Sequence, residues 1–296
     1  MAKTLPFTGS GVAIITPFNG NGTNYDELGN LIEMHVENST DAIIICGTTG
    51  EASTMPDGEH MAVIEYAVKK AAGRIPVIAG TGSNDTGHAV ELSKKAEAAG
   101  ADGLLQVTPY YNKCTQKGLI GHFRAVAEAV KIPVILYNIP GRTGMNISID
   151  TLKELAKIEN IVGIKEASGN MSYTAQVAAE IPELYIYSGN DDMIMPVMSL
   201  GGKGVISVVA NILPKETHDI CHKYLSGDTQ GALGLQLSML DLINSLFCEV
   251  NPIPIKTAMN ILGYNAGNLR MPLSEMEPKN FERLKKSLEA FGVKKL

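Results

Sequence analysis

The stretch IPVIAGTGSNDTGHAVELSKKAEAAGADGLLQV, residues 75–107, shows the pattern that decides the fold. Two short apolar runs, residues 75–80 and 102–107, flank a longer segment whose apolar residues recur at the spacing of an amphipathic helix. The two runs are continuously apolar rather than alternating, which is typical of strands buried on both faces of a parallel sheet. The segment between them closes at Gly100, and glycine commonly follows the last residue of a helix. The stretch therefore predicts one strand–helix–strand unit.

The same unit repeats along the whole chain. We count eight such apolar runs, which begin at residues 11, 41, 75, 102, 132, 160, 183 and 204. A doubly wound sheet is the rival α/β architecture, but eight regular units in about 220 residues favour closure into a (β/α)8 TIM barrel. Beyond residue 214 the strand pattern stops and only helical segments follow. We therefore predict a barrel domain over residues 1–226 and a C-terminal helical domain over residues 227–296.

Composition and charge argue against several kinds of partner and indicate where the protein is located. The net charge is -6, and the lysines and arginines are scattered, which argues against a nucleic acid or an anionic membrane as partner. The first 20 residues resemble neither a signal peptide nor a membrane span. The four cysteines lie far apart without a C-x-x-C pair, which fits reduced thiols better than disulfides. We therefore expect a cytoplasmic protein.

Lys165 ends the apolar run NIVGIK, residues 160–165. In a TIM barrel the chemistry lies where the strands end and the following loops begin. A lysine at that position would lose its water, and desolvation lowers the pKa of an amine. A neutral amine attacks carbonyl carbons, which is Schiff-base chemistry. The alternative, that Lys165 reaches solvent or pairs with Glu166, is the commoner fate of a lysine.

Two other strand ends supply hydroxyl groups. Tyr137 ends the preceding run and would lie beside Lys165, where a phenol can transfer protons during imine formation. The alternative is an aromatic residue whose hydroxyl bonds the backbone. The turn GTTGE, residues 47–51, offers hydroxyls and backbone amides that suit a carboxylate or a carbonyl oxygen. Thr48 or Thr49 could equally cap the next helix.

Three further patterns concern charges, metals and cofactors. Arg142 follows Tyr137 and could bind a carboxylate through two hydrogen bonds, although a lone loop arginine usually faces solvent. His218 and His222 have the spacing of two zinc ligands on one helix face, but the sequence shows no third ligand near them, so we expect no metal site. No glycine-rich nucleotide-binding motif follows a strand, which predicts an enzyme without a cofactor.

Five motifs occur in a fixed order along the chain: GTTGE, TPYYNK, YNIPGRTG, GIKEASGN and GGKGVISV. With them essentially the whole chain resembles the dihydrodipicolinate synthases, a branch of the pyruvate-dependent class I aldolase and lyase superfamily that includes N-acetylneuraminate lyase. Arg142 and the pair Tyr110 and Tyr111 favour the synthase branch. The resemblance implies that Lys165 forms an imine with pyruvate, whose enamine attacks L-aspartate 4-semialdehyde. The product, 4-hydroxy-tetrahydrodipicolinate, leads to diaminopimelate and lysine.

The resemblance also implies roles for single residues. Tyr137, Thr48 and Tyr111 match the proton relay of the family, and Tyr111 is expected to reach in from a neighbouring subunit of a homotetramer built as a dimer of dimers. The positions that match substrate-binding residues are Thr49, Arg142, Gly189 and the backbone of Ile206. Two alternatives stay open: a pyruvate lyase acting on a sugar acid, and a catalytically silent barrel that binds small acids. The silent barrel would lack a nucleophile or relay residue, and this sequence lacks none.

Some members of the resembled family are inhibited by lysine at a dimer-interface site beside Tyr110. The corresponding positions here are Ser53, Asp57, His60, Asn84 and His88. Asp57 stands where lysine-sensitive enzymes often carry histidine, and His88 stands where they carry glutamate. Because the missing glutamate would pair with the ammonium group of the inhibitor, we expect weak or absent inhibition by lysine.

Overall fold

Eight parallel strands form a closed barrel in the computed structural model, which describes residues 3–20 and 22–296. In chain order the strands are β1 (Gly9–Ala13), a separate hairpin of β2 (Phe18–Asn19) and β3 (Gly22–Thr23), β4 (Ala42–Ile45), β5 (Val77–Gly80), β6 (Gly103–Val107), β7 (Val134–Asn138), β8 (Ile161–Glu166), β9 (Tyr185–Ser188) and β10 (Gly204–Ser207). They pair in the order β1-β10-β9-β8-β7-β6-β5-β4, and β1 closes on β4. The predicted TIM barrel is confirmed.

Helices connect the strands and surround the barrel. They are α1 (Tyr25–Glu37), α2 (Asp57–Ala71), α3 (Thr86–Ala98), α4 (Gln116–Glu128), α5 (Pro140–Thr143), α6 (Ile149–Ala156), α7 (Met171–Glu180), α8 (Ile194–Ser199) and α9 (Pro214–Leu225). Short 3-10 turns occur at Ala52–Thr54, Asp191–Met193 and Val209–Asn211. Within the described residues, no helix is long and apolar enough to cross a membrane.

Four helices follow the barrel: α10 (Thr229–Ser238), α11 (Leu240–Leu246), α12 (Ile253–Ile261) and α13 (Pro278–Phe291). The helical pattern runs without interruption over residues 229–247, but the structure divides this stretch into α10 and α11 at the buried Met239. The apolar periodicity continues through the break, so periodicity alone could not reveal it. The division into domains at residue 226 stays a prediction.

Side-chain caps explain where several barrel helices begin. The Asp85 carboxylate accepts a hydrogen bond from the His88 backbone N–H at the start of α3, and Thr115 caps α4 in the same way. Such a cap stabilises a helix by about 1 kcal/mol, because it satisfies a backbone donor that has no partner within the helix. At the other end, Gly100 follows α3 with a φ of 91°, a backbone conformation that glycine adopts without strain.

The interior of the barrel is closed at the end where the strands begin. Phe7 precedes β1, and its ring stacks on Tyr187 with a centroid separation of 4.5 Å. The Tyr187 hydroxyl donates a hydrogen bond of 2.6 Å to the Phe7 carbonyl oxygen. Both residues belong to the apolar cluster inside the barrel, which also contains Ile44 and Ile206. The N-terminal segment therefore plugs this end, and the open cavity lies at the opposite, C-terminal end of the strands.

Candidate active site

Lys165 lies near the end of β8, the sixth strand of the barrel. Its cross-strand partners are Tyr137 on β7 and Tyr187 on β9. The side chain is only 6% exposed, and its Nζ lies 4.3 Å from the centroid of the Tyr137 ring. The predicted neighbourhood of Lys165 and Tyr137 follows from chain order, because consecutive strands of this barrel are hydrogen-bonded to each other.

Burial lowers the pKa of Lys165 to about 8. The Asp191 carboxylate opposes this shift, and the Arg142 guanidinium adds to it. With that pKa about a tenth of the amines are neutral at pH 7, against well under a thousandth for an ordinary lysine. This fraction of neutral amine is enough for Lys165 to act as a nucleophile near neutral pH.

Glu166 does not neutralise Lys165. Its carboxylate accepts a hydrogen bond of 2.7 Å from the Asn138 side chain and one of 2.6 Å from the Ser168 backbone N–H. Successive side chains of a strand point to opposite faces, so Glu166 faces away from the barrel interior. Neither alternative fate considered for Lys165 is observed, since the amine is buried and makes no ion pair within the described residues.

Tyr137 is buried beside the amine, and its hydroxyl is hydrogen-bonded to the Thr48 side chain. Burial raises the pKa of Tyr137 to about 12, although Arg142 and the hydrogen bond to Thr48 both act in the opposite direction. The phenol is therefore protonated at neutral pH and can donate a hydrogen bond to an oxygen held near Lys165. Thr48 and Tyr137 together form a short chain along which a proton can move.

The GTTGE turn is held in place from the C-terminal helices. The Thr49 hydroxyl accepts a hydrogen bond of 3.0 Å from the Asn251 side-chain amide. Glu51 has a φ of 56° and pairs with Lys256 on α12 at 2.7 Å, and both side chains are buried. A left-handed backbone at glutamate is unfavourable, so the ion pair and the packing around it maintain this conformation.

Arg142 lies on α5, in the loop after β7, and is exposed. Its Nη2 donates a hydrogen bond of 2.8 Å to the Asn251 carbonyl oxygen. Asn251 therefore connects Arg142 to Thr49 across the cavity entrance, which fixes the distance between the guanidinium and the GTTGE turn. A guanidinium that donates one N–H of its Nη2 in this way still offers its other N–H groups to a carboxylate.

A cavity of about 650 Å³ opens at the C-terminal end of the barrel. Six of the predicted site residues line it: Thr48, Thr49, Tyr137, Arg142, Lys165 and Gly189. At Gly189 an added Cβ would lie 2.5 Å from the Ala167 Cβ, so this position requires glycine. Ile206 lies on β10 with its side chain in the apolar interior, which leaves only its backbone for the predicted role.

Tyr111 is not among the residues that line the cavity of its own chain. Its side chain is 94% exposed, and its φ of 69° is unusual for a bulky residue. Backbone strain of this kind costs about 1–3 kcal/mol and persists where the surroundings require it. The single chain therefore presents Tyr111 outward.

Two residues near the cavity were missed by the sequence analysis. Asp191 is buried, and its Oδ2 accepts hydrogen bonds from the backbone N–H groups of Val208 and Val209 at 3.0 and 2.9 Å. Burial raises the pKa of Asp191, and Lys165 acts against that shift. The position of Asp191 just after β9 could have drawn attention to it. Asn251 had no such signal, because it lies beyond the barrel strands in sequence.

The residues expected at a lysine site lie on the same cavity: Ser53, Asp57, His60, Asn84 and His88. The His88 Nε2 lies 3.1 Å from both carboxylate oxygens of Asp57. The buried His60 ring bonds the Gly80 carbonyl oxygen at 2.9 Å. Asp57 and His60 therefore already have partners within the chain.

The fold and the site define the chain as a (β/α)8 barrel whose buried Lys165 amine has the lowered pKa that Schiff-base chemistry requires. The sequence profile of the dihydrodipicolinate synthetase family matches residues 6–291. The chain belongs to this family.

Members of this family are similar to the chain over nearly its full length. The 4-hydroxy-tetrahydrodipicolinate synthase of Acetivibrio thermocellus is 59% identical over 288 residues, which are 97% of this chain and 98% of that protein. The crystal structure of dihydrodipicolinate synthase from Aquifex aeolicus is 48% identical, with a TM-score of 0.95, and the match covers 97% of this chain and 99% of that one. A chloride-inhibited dihydrodipicolinate synthase from Acinetobacter baumannii, complexed with pyruvate, is 45% identical, with a TM-score of 0.93 and the same coverage.

Proposed function

We propose that the chain catalyses the condensation of pyruvate with L-aspartate 4-semialdehyde to 4-hydroxy-tetrahydrodipicolinate, a lyase reaction on the route to diaminopimelate and lysine. The observation that carries this proposal is the buried Lys165 amine, with its lowered pKa, beside the Tyr137 phenol. Family membership and the 59% identity to a named synthase support the choice of substrates.

The first step joins Lys165 to pyruvate. The neutral Nζ attacks the keto carbon, a C–N bond forms, and the keto oxygen takes up protons and leaves as water. Tyr137 donates a proton to that oxygen and recovers it through its hydrogen bond to Thr48. The hydroxyl of Thr49 and the backbone near Gly189 and Ile206 hold the pyruvate carboxylate.

The second step forms the carbon–carbon bond. The imine loses a proton from the pyruvate methyl group and becomes an enamine, whose carbon attacks the aldehyde carbon of the second substrate. The aldehyde oxygen takes a proton and becomes a hydroxyl. Arg142, at the cavity entrance, binds the carboxylate of this substrate. The amino group of the substrate then attacks the imine carbon, which closes the ring and releases the Lys165 amine.

Trapping the imine tests the proposed function. Borohydride in the presence of pyruvate reduces the imine, and peptide mass mapping should place the added mass on Lys165 and nowhere else. The Lys165→Met variant is the control and should gain no mass. Parallel assays with aspartate semialdehyde and with N-acetylneuraminate separate a synthase from a sugar-acid lyase. An unmodified Lys165 would exclude the mechanism, and cleavage of N-acetylneuraminate alone would exclude the substrates.

We also propose that the active enzyme is a homotetramer in which Tyr111 of one chain completes the relay of another. The outward position of Tyr111 and its unusual backbone support this proposal. Mixing two inactive variants, Tyr111→Phe and Lys165→Met, provides the test. Each mixed pair holds one site with an intact lysine and an intact tyrosine, so random pairing restores about a quarter of the full activity. No recovery after subunit exchange would contradict the arrangement.

A cytoplasmic location is part of the same proposal. All four cysteines are free in the described chain. Burial raises the pKa of Cys46 and Cys221, so these thiols stay protonated and inert. Such thiols need no oxidising compartment. Fractionation of cells that express the chain, with detection by antibody, tests this location.

A further inference from the structure

Three potential metal ligands meet at the end of the barrel opposite the active site. Asp41 immediately precedes β4, at the end where the strands begin. His218 and His222 lie four residues apart on α9, the helix that follows the last strand. Asp41 and His218 are 177 residues apart in sequence, so the pattern of α9 alone could not identify this third ligand.

The three side chains are close enough to share one ion. One ligand atom from each residue lies within 4.8 Å of the other two. The His218 Nδ1 is 2.9 Å from the Asp41 Oδ2, and the two imidazole rings stack with centroids 4.0 Å apart and planes tilted by 26°. The same Asp41 oxygen accepts a hydrogen bond of 2.7 Å from the Ser10 backbone N–H, which fixes the carboxylate.

We propose that Asp41, His218 and His222 bind a divalent transition-metal ion, with Zn²⁺ as the best match. Two imidazoles and one carboxylate are a common zinc ligand set, and a water completes the tetrahedron. Ligand atoms ~2.0–2.1 Å from a tetrahedral ion lie about 3.3 Å apart, so the observed 2.9 Å between Nδ1 and Oδ2 needs only a small side-chain rotation. Carboxylate-only sites suit Mg²⁺ or Ca²⁺, whereas imidazole nitrogens favour zinc.

A hydrogen bond between His218 and Asp41, without a metal ion, would explain only part of this arrangement of three side chains. It explains the contact of His218 with Asp41, which joins α9 to the barrel. It does not explain His222, whose exposed ring has no hydrogen bond within the described residues and stacks on His218. A second imidazole held beside a histidine–carboxylate pair is what a metal ion requires and what a hydrogen bond does not.

The position predicts a stabilising ion rather than a catalytic one. The site connects α9 to the start of β4, and Ser10 on β1 joins it through Asp41. Ser10 lies on the first barrel strand, β1, and α9 follows the last, β10. Because β1 pairs with β10 to close the barrel, the ion would stabilise this closure. In TIM barrels this end serves stability, whereas chemistry lies at the other end.

Zinc binding by the full chain tests the proposal. After treatment with a chelator, titration calorimetry with Zn²⁺ should show one ion per chain, and saturating Zn²⁺ should raise the Tm by roughly 5 °C. Titration with Co²⁺ should give the visible absorption of a tetrahedral site. The His222→Gln variant, which changes an exposed ring only, should fold normally and lose this ion, its Tm shift and the absorption.

His88→Gln is the matched control, because His88 also contacts a carboxylate, Asp57, but the two belong to no group of three potential metal ligands within the described residues. This variant should keep the ion and the Tm shift. The partly exposed thiols of Cys114 and Cys248 are present in every variant, so the difference between variants removes their contribution. Equal zinc binding by wild type and His222→Gln, or an equal loss in His88→Gln, would overturn the proposal.

Discussion

Two buried lysines at the same end of the barrel have opposite surroundings. Lys256 on α12 is 1% exposed, and its Nζ lies 2.7 Å from the Glu51 carboxylate and 4.1 Å from the centroid of the Phe18 ring. Lys165 is 6% exposed, faces an aromatic ring at a similar distance, and has no carboxylate within ion-pair distance among the described residues. Desolvation lowers the pKa of both amines, and a carboxylate opposes this shift in each case, Glu51 for Lys256 and Asp191 for Lys165. Within the described residues, only Lys256 makes an ion pair with its carboxylate.

The difference shows how one residue type serves two purposes. A buried ammonium with a partner is held in place and supports the structure, here the GTTGE turn. A buried amine without a close partner is easily deprotonated and becomes a nucleophile. The distribution of carboxylates around the two amines therefore decides which lysine is reactive.

Removing the Lys165 amine gives the largest expected effect. Lys165→Met keeps most of the side-chain volume and should lower kcat by about 10⁴–10⁶-fold, because the covalent intermediate cannot form. The Tm should change little, since no ion pair is lost. Steady-state assays and thermal unfolding measure the two effects. A large fall in Tm would show that Lys165 also has a structural role and would weaken the contrast with Lys256.

Removing the Lys256 amine should affect stability instead. Lys256→Met leaves the Glu51 carboxylate buried without its partner, so the free energy of unfolding should fall by about 3–5 kcal/mol. Urea denaturation measures this loss. The double variant Glu51→Gln with Lys256→Met removes both charges and should recover much of the stability. Equal stability of wild type and Lys256→Met would show that the pair contributes nothing.

The pH dependence of the reaction should report on Lys165. Because the neutral amine attacks, kcat/KM should rise with pH, about tenfold per unit below the pKa of about 8, and level off above it. The Asp191 carboxylate raises the pKa of Lys165, so Asp191→Asn should move the rising limb to lower pH. A rising limb that is unchanged in this variant would show that Asp191 does not act on the amine.

Inhibition by free lysine should be the smallest effect. The resemblance places a lysine site beside Tyr110. The ammonium group of a bound lysine would need a carboxylate there that has no other partner. Asp57 already pairs with His88 at 3.1 Å, so millimolar lysine should leave the initial rate nearly unchanged. The variant His88→Glu with Asp57→His should gain sensitivity, and Lys94→Gln on the same helix α3 is a surface control. Strong inhibition of the wild type would contradict this prediction.

The sequence predicted the barrel well because its signals are local. Each apolar run lies at or within a few residues of an observed strand. The run that begins at residue 11 shows the size of the errors: β1 starts at Gly9 and ends at Ala13, and the apolar Ile14 and Ile15 lie buried beyond it. Apolar composition reports burial, whereas the strand ends where the backbone hydrogen bonds end.

The site was predicted only where strand order places residues together. Lys165 and Tyr137 end neighbouring strands, so counting strands was enough to bring them into contact. Asn251 contacts Thr49 across 202 residues of sequence, from a segment with no strand pattern. Contacts of this kind depend on how the C-terminal helices pack against the barrel, and no local pattern encodes that packing.

The plug formed by Phe7 and Tyr187 has a consequence for the order of events in catalysis. Because this end of the barrel is closed, both substrates and the product pass through the same opening. The molecule that must react deepest in the cavity has to arrive first, and the product has to leave before the next cycle begins. In the proposed mechanism the closed end therefore requires an order of binding: the first substrate bonds to Lys165 before the second enters the cavity.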